Sequence, residues 1–131
     1  CARLLKPEGR FAMQAITISE QCYDLAKRSV DFIQRFIFPG CAIPSLASIG
    51  QAIRKSSDFR VDVQIDYAAH YAHTLRLWSE VFGDVRERLD SLGYDRFFRR
   101  LWTFYFAYCE AGFGERQLGL QQMLLSRAAR R

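Results

Sequence analysis

The sequence predicts an α/β fold in which three strands are separated by helices. Residues 10–18, 59–65 and 118–126 have the length and the β-forming residues typical of strands. The segments between them carry apolar residues at helical spacing. Half of the 131 residues, 50%, are hydrophobic, which is enough for a sizeable core in one domain or part of one. Strands that alternate with helices in this way are typical of α/β proteins.

The first nine residues have the pattern of a helix end followed by a turn. Residues 1–6 look like a last helical turn, and residues 7–9, Pro-Glu-Gly, look like the turn after it. A helix this short would not nucleate alone. Since the chain also has no initiator Met, we expect it to begin inside a larger protein.

The first strand and the helix after it follow directly. Residues 10–18 are apolar at most positions apart from Gln14, which predicts a strand buried on both faces. Ser19 is predicted to cap a helix over residues 20–37, where apolar residues recur at helical spacing.

A loop with two prolines and a glycine is predicted over residues 38–45. These residues restrain the backbone while Phe38, Cys41 and Ile43 stay apolar, so we expect the loop to line a pocket. Ser45 is then predicted to cap a short helix over residues 46–55.

The helix after the second strand carries a stripe of tyrosines. Asp66 is its predicted N-cap, and we expect a break at Gly83 and an end at Gly93. Two phenol hydroxyls on one face are unusual for a core seam, because a buried hydroxyl needs a partner. Ordinary core packing is the alternative interpretation of such a stripe. The residues predicted to share this face are Tyr67, Tyr71, Leu75 and Trp78.

A strongly aromatic helix is predicted over residues 95–111, with Tyr105 and Cys109 on one face. The glycines at 112 and 114 are predicted to close it before the third strand. A helix before a last strand is similar to the closing part of a Rossmann-like sheet. The G-x-G-x-x-G turn that would bind a nucleotide is absent from the sequence.

The histidines and cysteines predict neither a metal site nor disulfides. His70 and His73 do not form the His-Glu-x-x-His zinc pattern. The four cysteines show no C-x-x-C pairing, so free thiols in a reducing cytoplasm are expected.

A positive net charge of +5 is spread along the chain. A cluster at Arg96, Arg99 and Arg100 and a basic tail over about 127–131 favour an anionic lipid surface or nucleic acid. The alternative is solvated helix faces with a loose tail. Nucleic-acid binding would need aromatic and basic residues on a shared exposed face. We expect the aromatic residues to be buried, and therefore expect no nucleic-acid partner.

Five segments carry a family resemblance. They are residues 4–10 with 14–18, residues 36–45 (Phe-Ile-Phe-Pro-Gly-Cys-Ala-Ile-Pro-Ser), residues 70–78 (His-Tyr-Ala-His-Thr-Leu-Arg-Leu-Trp), residues 92–97 and residues 105–113 (Tyr-Phe-Ala-Tyr-Cys-Glu-Ala-Gly-Phe). In order and spacing, they resemble the C-terminal half of the cyclopropane-fatty-acyl-phospholipid synthase and mycolic acid cyclopropane synthase family. Cys41 stands where the family usually has Gly, and Ile43 where it usually has Leu, so the acyl substrate is left open.

The resemblance implies a Rossmann-like class I methyltransferase sheet of seven strands. This chain would supply the last three strands as a mixed sheet with several helices, and the final strand would lie antiparallel between the other two. Residues 1–131 would be the C-terminal, lipid-binding half of a single methyltransferase domain. The half that binds the cofactor S-adenosylmethionine would precede residue 1.

The resemblance also implies a reaction and its site. The alkene of an unsaturated acyl chain attacks the sulfonium methyl, a carbocation forms, and loss of a proton closes a cyclopropane ring. A bound bicarbonate serves as the base, and Tyr71 matches the tyrosine that holds it. Cys109 matches an active-site cysteine that lines the pocket, and we expect Tyr105, Leu75 and Phe38 to line the acyl channel.

The implied substrate is the acyl chain of an unsaturated phospholipid, at the cytoplasmic surface of the inner membrane. The fragment is expected to be inactive alone, and the residues do not separate cyclopropanation from simple methylation. A non-enzymatic lipid- or membrane-binding α/β module is the alternative, and a strand with a Gly-rich turn upstream would favour the enzyme. An exposed edge on the first strand predicts pairing with a second copy as a homodimer.

Overall fold

The structure is a computed structural model that describes residues 1–127, and its architecture is α/β. A short 3₁₀ helix, Ala2–Leu4, precedes the first strand. The other elements are β1 (Arg10–Ile18), α1 (Glu20–Ala26), α2 (Phe32–Phe36), α3 (Leu46–Ser56), β2 (Phe59–Asp66), α4 (Ala68–Asp84), α5 (Arg86–Ser91), α6 (Arg96–Gly114) and β3 (Leu118–Arg127). They form two compact units. The sheet unit comprises Cys1–Tyr67 and the chain from Leu118, and the helical unit comprises Ala68–Gln117.

The sheet of the described chain has the strand order β1-β3-β2. The last strand, β3, is antiparallel to both neighbours, which confirms the central position that the resemblance implied for it. β1 pairs with β3 in unbroken register, from Arg10 opposite Ser126 to Ile18 opposite Leu118. β2 shifts register once, between Val61 and Val63.

Burial differs sharply among the three strands. Leu120, Met123 and Leu125 of β3 belong to the core. β1, in contrast, leaves Ala12 and Gln14 exposed, so the prediction that it is buried on both faces was wrong. An apolar composition shows that a strand can be buried, but not which of its faces the rest of the chain covers.

The junction between β2 and α4 differs from the prediction. Asp66 is the last residue of β2, and its Oδ1 accepts a hydrogen bond from the Leu120 N–H at 3.1 Å. The Tyr67 N–H donates to the Leu120 carbonyl at 2.8 Å. Since α4 begins only at Ala68, Tyr67 is not on the helical face predicted for it, and Asp66 is the last strand residue and not the residue directly before the helix.

The helix predicted over residues 20–37 is two helices, α1 and α2. Asp31 starts the second one. Its side chain accepts from the Gln34 N–H at 2.8 Å, while Gln34 Oε1 accepts from the Asp31 N–H at 3.1 Å. This reciprocal capping box gives the chain a new helix start. Ser45 caps α3 as predicted, since its hydroxyl accepts from the Ser48 N–H at 3.2 Å.

The helical unit follows the predicted order of helices. The helix predicted to follow β2 breaks after Asp84, one residue beyond Gly83, into α4 and α5. α5 ends before Gly93, which has a positive φ of 85°. Asp95 caps α6 by accepting from the Phe98 N–H at 2.7 Å. α6 continues to Gly114, beyond its predicted end, because both glycines remain helical.

Within residues 1–127, no helix combines the length and the apolar character that a membrane span requires. Of the predicted basic tail, Arg127 forms an ion pair with Asp58 at 2.9 Å, so it is not loose. Arg130 and Arg131 lie outside the described residues.

Candidate functional site

Helices α4 and α6 lie against each other in opposite directions. Near the start of α4, the ring of Tyr71 contacts the ring of Phe113 at the end of α6, with centroids 4.9 Å apart. Near the end of α4, Phe82 contacts Phe106 at 5.6 Å and Phe98, in the first turn of α6, at 6.3 Å. These contacts run along both helices, so the inner faces of the two helices meet over most of their length.

The inner face of α6 is an i, i+4 series in which Tyr105, Cys109 and Phe113 follow one another by a turn. Cys109 and Phe113 are buried, and a side-chain hydrogen bond joins Cys109 to Tyr105. The facing side of α4 contributes Tyr71 and the fully buried Leu75. The result is a mainly apolar pair of surfaces that also holds two phenols and one thiol.

The two phenols of this cluster hold their protons more tightly than usual. Burial, with smaller contributions from the neighbouring Cys109 and Tyr71, raises the pKa of Tyr105 to about 12. Burial also raises the pKa of Tyr71, with Cys109 as the second cause. Both side chains therefore remain neutral O–H donors at neutral pH.

The structure brings four of the five predicted site residues into one place. Tyr71, Leu75, Tyr105 and Cys109 all lie on the α4–α6 pair of the helical unit. Phe38 belongs to the sheet unit, in the loop after α2, where its side chain is 54% exposed.

Two aromatic residues of the cluster were not among the predicted site residues. Phe113 is one turn beyond Cys109, and the i, i+4 series would have found it had the helix not been ended at residue 111. Trp102 contacts the Tyr105 ring at 5.1 Å and lies three residues before it, which is also a helical neighbour. Both could have been found by extending the inner-face pattern in each direction.

The charged groups of this helix pair do not form a metal site. His70 and His73 are exposed, and residues 1–127 hold no group of three or more His, Cys, Asp or Glu side chains able to bind a metal ion. Glu110, which follows Cys109, instead forms an ion pair with Arg76, with Oε1 2.8 Å from both Nε and Nη2. That pair joins the two helices beside the cluster and occupies the carboxylate.

Comparison with known proteins identifies the relatives of this chain. The family described as mycolic acid cyclopropane synthetase matches residues 1–123. The tuberculostearic acid methyltransferase of Mycobacterium tuberculosis is 38% identical over 125 residues, which cover 95% of this chain and 29% of that protein. The cyclopropane-fatty-acyl-phospholipid synthase of Escherichia coli K12 is 32% identical over 132 residues, covering 95% of this chain and 31% of that protein.

Solved structures show the same fold. The cyclopropane synthase MmaA2 of Mycobacterium tuberculosis superimposes with a TM-score of 0.83 at 22% identity, over 96% of this chain and 47% of that one. The mycolic acid cyclopropane synthase CmaA1, complexed with SAH and CTAB, gives a TM-score of 0.82 at 22% identity, over 95% of this chain and 46% of that one. The chain therefore spans less than half the length of each of these relatives.

Proposed function

Because this chain belongs to the mycolic acid cyclopropane synthetase family, we propose that it forms the acyl-binding part of an S-adenosylmethionine-dependent methyltransferase. The enzyme would transfer a methyl or methylene group to the double bond of an unsaturated fatty acyl chain. The observation that carries this proposal is the meeting of Tyr71, Tyr105 and Cys109 between α4 and α6. Its two neutral phenols lie among apolar side chains, which suits a lipid that reacts through a cation.

The site for S-adenosylmethionine would lie outside this chain. The cofactor supplies the electrophilic methyl group in this class of enzyme. Within residues 1–127, neither β1 nor β2 leads into a glycine-rich turn of the kind that holds a nucleotide, since Ser19 follows the first and Tyr67 the second. The CmaA1 structure was solved with SAH, the demethylated form of this cofactor, and CTAB, a long-chain quaternary ammonium compound. SAH supports the proposed cofactor, and CTAB supports a long-chain substrate.

The acyl chain would lie beside the α4–α6 pair, against the aromatic rings that the two helices leave partly exposed. Leu75, also proposed as a lining residue, is fully buried, whereas the rings of Tyr71, Tyr105 and Trp102 are half-buried. When the alkene takes up a methyl group, positive charge develops on the acyl chain. An aromatic face near that charge stabilises it by about 0.5–2 kcal/mol. Phe38, from the sheet unit, is a further proposed lining residue.

The role proposed for Tyr71 is to position a base. Its protonated hydroxyl can donate to a small oxyanion, and such a charge-assisted hydrogen bond is stronger where water is excluded. Bicarbonate is the proposed anion, and it would supply the base that takes a proton from the new methyl group. Tyr71 provides one donor, so the remaining contacts to the anion would come from outside this chain.

Cys109 is proposed as a lining residue and not as a nucleophile. It is buried, and its side chain shares a hydrogen bond with Tyr105. The transfer from a sulfonium to an alkene needs no covalent link to the protein. The thiol therefore contributes a small, polarisable wall to the pocket.

The proposed setting is the cytoplasmic face of the inner membrane, where an unsaturated phospholipid would be the substrate. A homodimer is also proposed, because the outer edge of β1 pairs with no named strand among the described residues. The alternative function is a non-enzymatic lipid- or membrane-binding module that uses the same aromatic cluster.

The experiment that separates the two functions is a transfer assay on the full-length protein. We expect label from S-adenosylmethionine to enter an unsaturated phospholipid, and mass analysis of the product distinguishes a cyclopropane from a simple methyl branch. The 131-residue chain alone is expected to transfer nothing. A full-length protein that binds the lipid but transfers no label would support the module instead.

A further inference from the structure

We propose that the connection between α5 and α6, with the first turns of α6, binds the surface of a membrane that contains anionic phospholipid. We call this surface the α5–α6 tip. This proposal rests on the proposed function for its choice of lipid. It adds which part of the chain contacts the membrane. The tip consists of Leu92, Tyr94, Arg96, Phe97 and Arg100.

Three large apolar side chains are exposed in this short stretch, contrary to the expectation that the aromatic residues are buried. Leu92 and Phe97 are each 64% exposed, and Tyr94 is 44% exposed. The ring of Tyr94 stacks on that of Phe98 at 4.3 Å, which holds it in place. These side chains lie within six residues along the chain, and clustered exposed apolar groups favour a binding site for a partner or a membrane.

The acidic groups near the tip are already engaged. Asp90 forms an ion pair with Arg99, so only part of the predicted arginine cluster is available to a ligand. The Asp95 carboxylate accepts from the Phe98 N–H as the cap of α6. Arg96 and Arg100, in contrast, are exposed and form no ion pair within residues 1–127.

These two arginines are placed where the helix itself disfavours them. They are one turn apart, and like charges at i, i+4 repel. They also lie in the first turns of α6, near the positive end of the helix dipole, where the cap residue Asp95 is acidic but the first turn itself has no acidic side chain. A layer of phosphate groups would remove both penalties, so the tip has a charge that an anionic lipid surface complements.

The tip and the candidate site occupy different faces of the same helix. Phe97, Arg100 and the exposed Phe104 are on the outward side of α6, whereas Cys109 and Phe113 are on its buried side. Docking through the tip would therefore not involve the residues of the candidate site.

A lipid bilayer suits the tip better than a nucleic acid does. Leu92 is aliphatic and offers no ring on which a base could stack, but it can enter the hydrocarbon boundary. Aromatic rings and arginines side by side are typical of surfaces that lie in the membrane interface. An acidic protein surface remains the competing occupant, and the experiment below excludes or favours it.

Vesicle sedimentation of the full-length protein tests the proposal. One vesicle preparation is phosphatidylcholine alone, and the other is phosphatidylcholine with phosphatidylglycerol. We expect the wild type to bind the anionic vesicles more strongly, with a loss of binding at high salt. The double variant R96Q/R100Q should bind them about thirtyfold more weakly. Each arginine near an anionic surface raises the binding affinity about five- to sixfold, and the two factors multiply.

A matched control removes the same charge elsewhere. Arg54 and Lys55 are exposed on α3 of the sheet unit, so R54Q/K55Q should bind within about threefold of the wild type. Phe97→Ser tests the apolar part and should weaken binding, whereas Leu25→Ser, at another exposed apolar position, should not. Circular dichroism confirms that each variant is folded.

The outcomes are decisive for the tip. Equal binding of both vesicle types, or equal losses in R96Q/R100Q and R54Q/K55Q, would overturn the proposal. An absence of vesicle binding by the wild type would also overturn it and leave an acidic protein as the occupant. The assay needs no S-adenosylmethionine, so a failure of the tip proposal is distinguishable from a failure of the proposed methyl transfer.

Discussion

The ring of Tyr71 meets the ring of Phe113 edge to face, with the ring planes at 90° and the centroids 4.9 Å apart. On another side, the ring of Trp78 also meets Tyr71 edge to face, at 6.0 Å and 84°. Two such contacts restrict the ring of Tyr71, so the direction of its hydroxyl is set by packing across α4 and α6. A donor with a fixed direction is what the proposed placement of an anion requires.

Removal of this hydroxyl should therefore reduce turnover and leave the fold intact. In the full-length enzyme, we expect Tyr71→Phe to lower kcat by about 10²–10³-fold, the usual effect of losing one preorganised donor. KM for the lipid should change little, because the ring stays in place. Initial rates of label transfer from S-adenosylmethionine to unsaturated phospholipid provide the measurement.

Tyr108→Phe is the control for that variant, because it removes a phenol hydroxyl from the exposed side of α6. It should retain nearly the full kcat. If Tyr71→Phe also kept its kcat, the hydroxyl would have no part in the reaction, and Tyr71 would be a packing residue.

A second prediction concerns the chemistry of Cys109. If the thiol only lines the pocket, Cys109→Ala should keep kcat within about tenfold of the wild type, since a small apolar group replaces another. Cys109→Phe should abolish activity, because a large ring at this buried position would overpack the contact between α4 and α6. A loss of kcat of more than about 10⁴-fold in folded Cys109→Ala would indicate a catalytic thiol. Intact-mass analysis of the wild-type enzyme during turnover would then show a covalent adduct.

The extent to which the sequence predicted this fold depends on how local each signal is. The second strand and the cap at Ser45 on α3 are predicted from short-range patterns, and the structure confirms both. The division between α1 and α2 was missed although its local signal, Asp31 with Gln34 three residues later, is present in the sequence. The exposure of one face of β1 could not be predicted, because it depends on which elements cover the sheet.

Predictions about the site depended on two kinds of signal. Helical spacing and the family resemblance together identified Tyr71, Tyr105 and Cys109, which the structure brings together. The glycines after Cys109 suggested a helix end, yet α6 continues to Gly114 and the left-handed turn occurs at Arg116, with φ 56°. Because the helix was predicted to end at residue 111, Phe113 was not recognised as part of its inner face. A glycine permits a helix to end but does not require it.

The third prediction concerns the titration of Tyr105. Its pKa is raised from the ordinary 10.0 to about 12, so between these values the folded protein holds a proton that the unfolded chain releases. This contribution to stability is complete below pH 10 and is lost as the pH rises through about 12. Absorbance of tyrosinate in the full-length protein should show a late-titrating phenol that disappears in Tyr105→Phe. Identical titration curves for both proteins above pH 10 would contradict the prediction.

The last prediction concerns Gly119 of β3, where the side chains of Thr17 and Gln121 leave no room for a Cβ atom. A Cβ atom at this position would lie 2.7 Å from Thr17 Oγ1 and 2.8 Å from Gln121 Nε2, which is closer than packed atoms allow. Thr17 and Gln121 are both buried, so neither can move away freely. Gly119→Ala should therefore destabilise the protein by about 1–3 kcal/mol, the usual cost of overpacking.

The matched control for that substitution is Gly114→Ala, because a Cβ atom there meets nothing within 4 Å. Gly114 is the last residue of α6, and alanine is the better helix former, so this variant should be as stable as the wild type or slightly more stable. Urea unfolding of both variants compares them directly. The contrast isolates steric crowding, since each variant adds the same methyl group and neither glycine has a positive φ. If Gly119→Ala unfolded at the same urea concentration as Gly114→Ala, the sheet could relax around Gly119, and its close contacts would not contribute to the stability of the β1–β3 pairing.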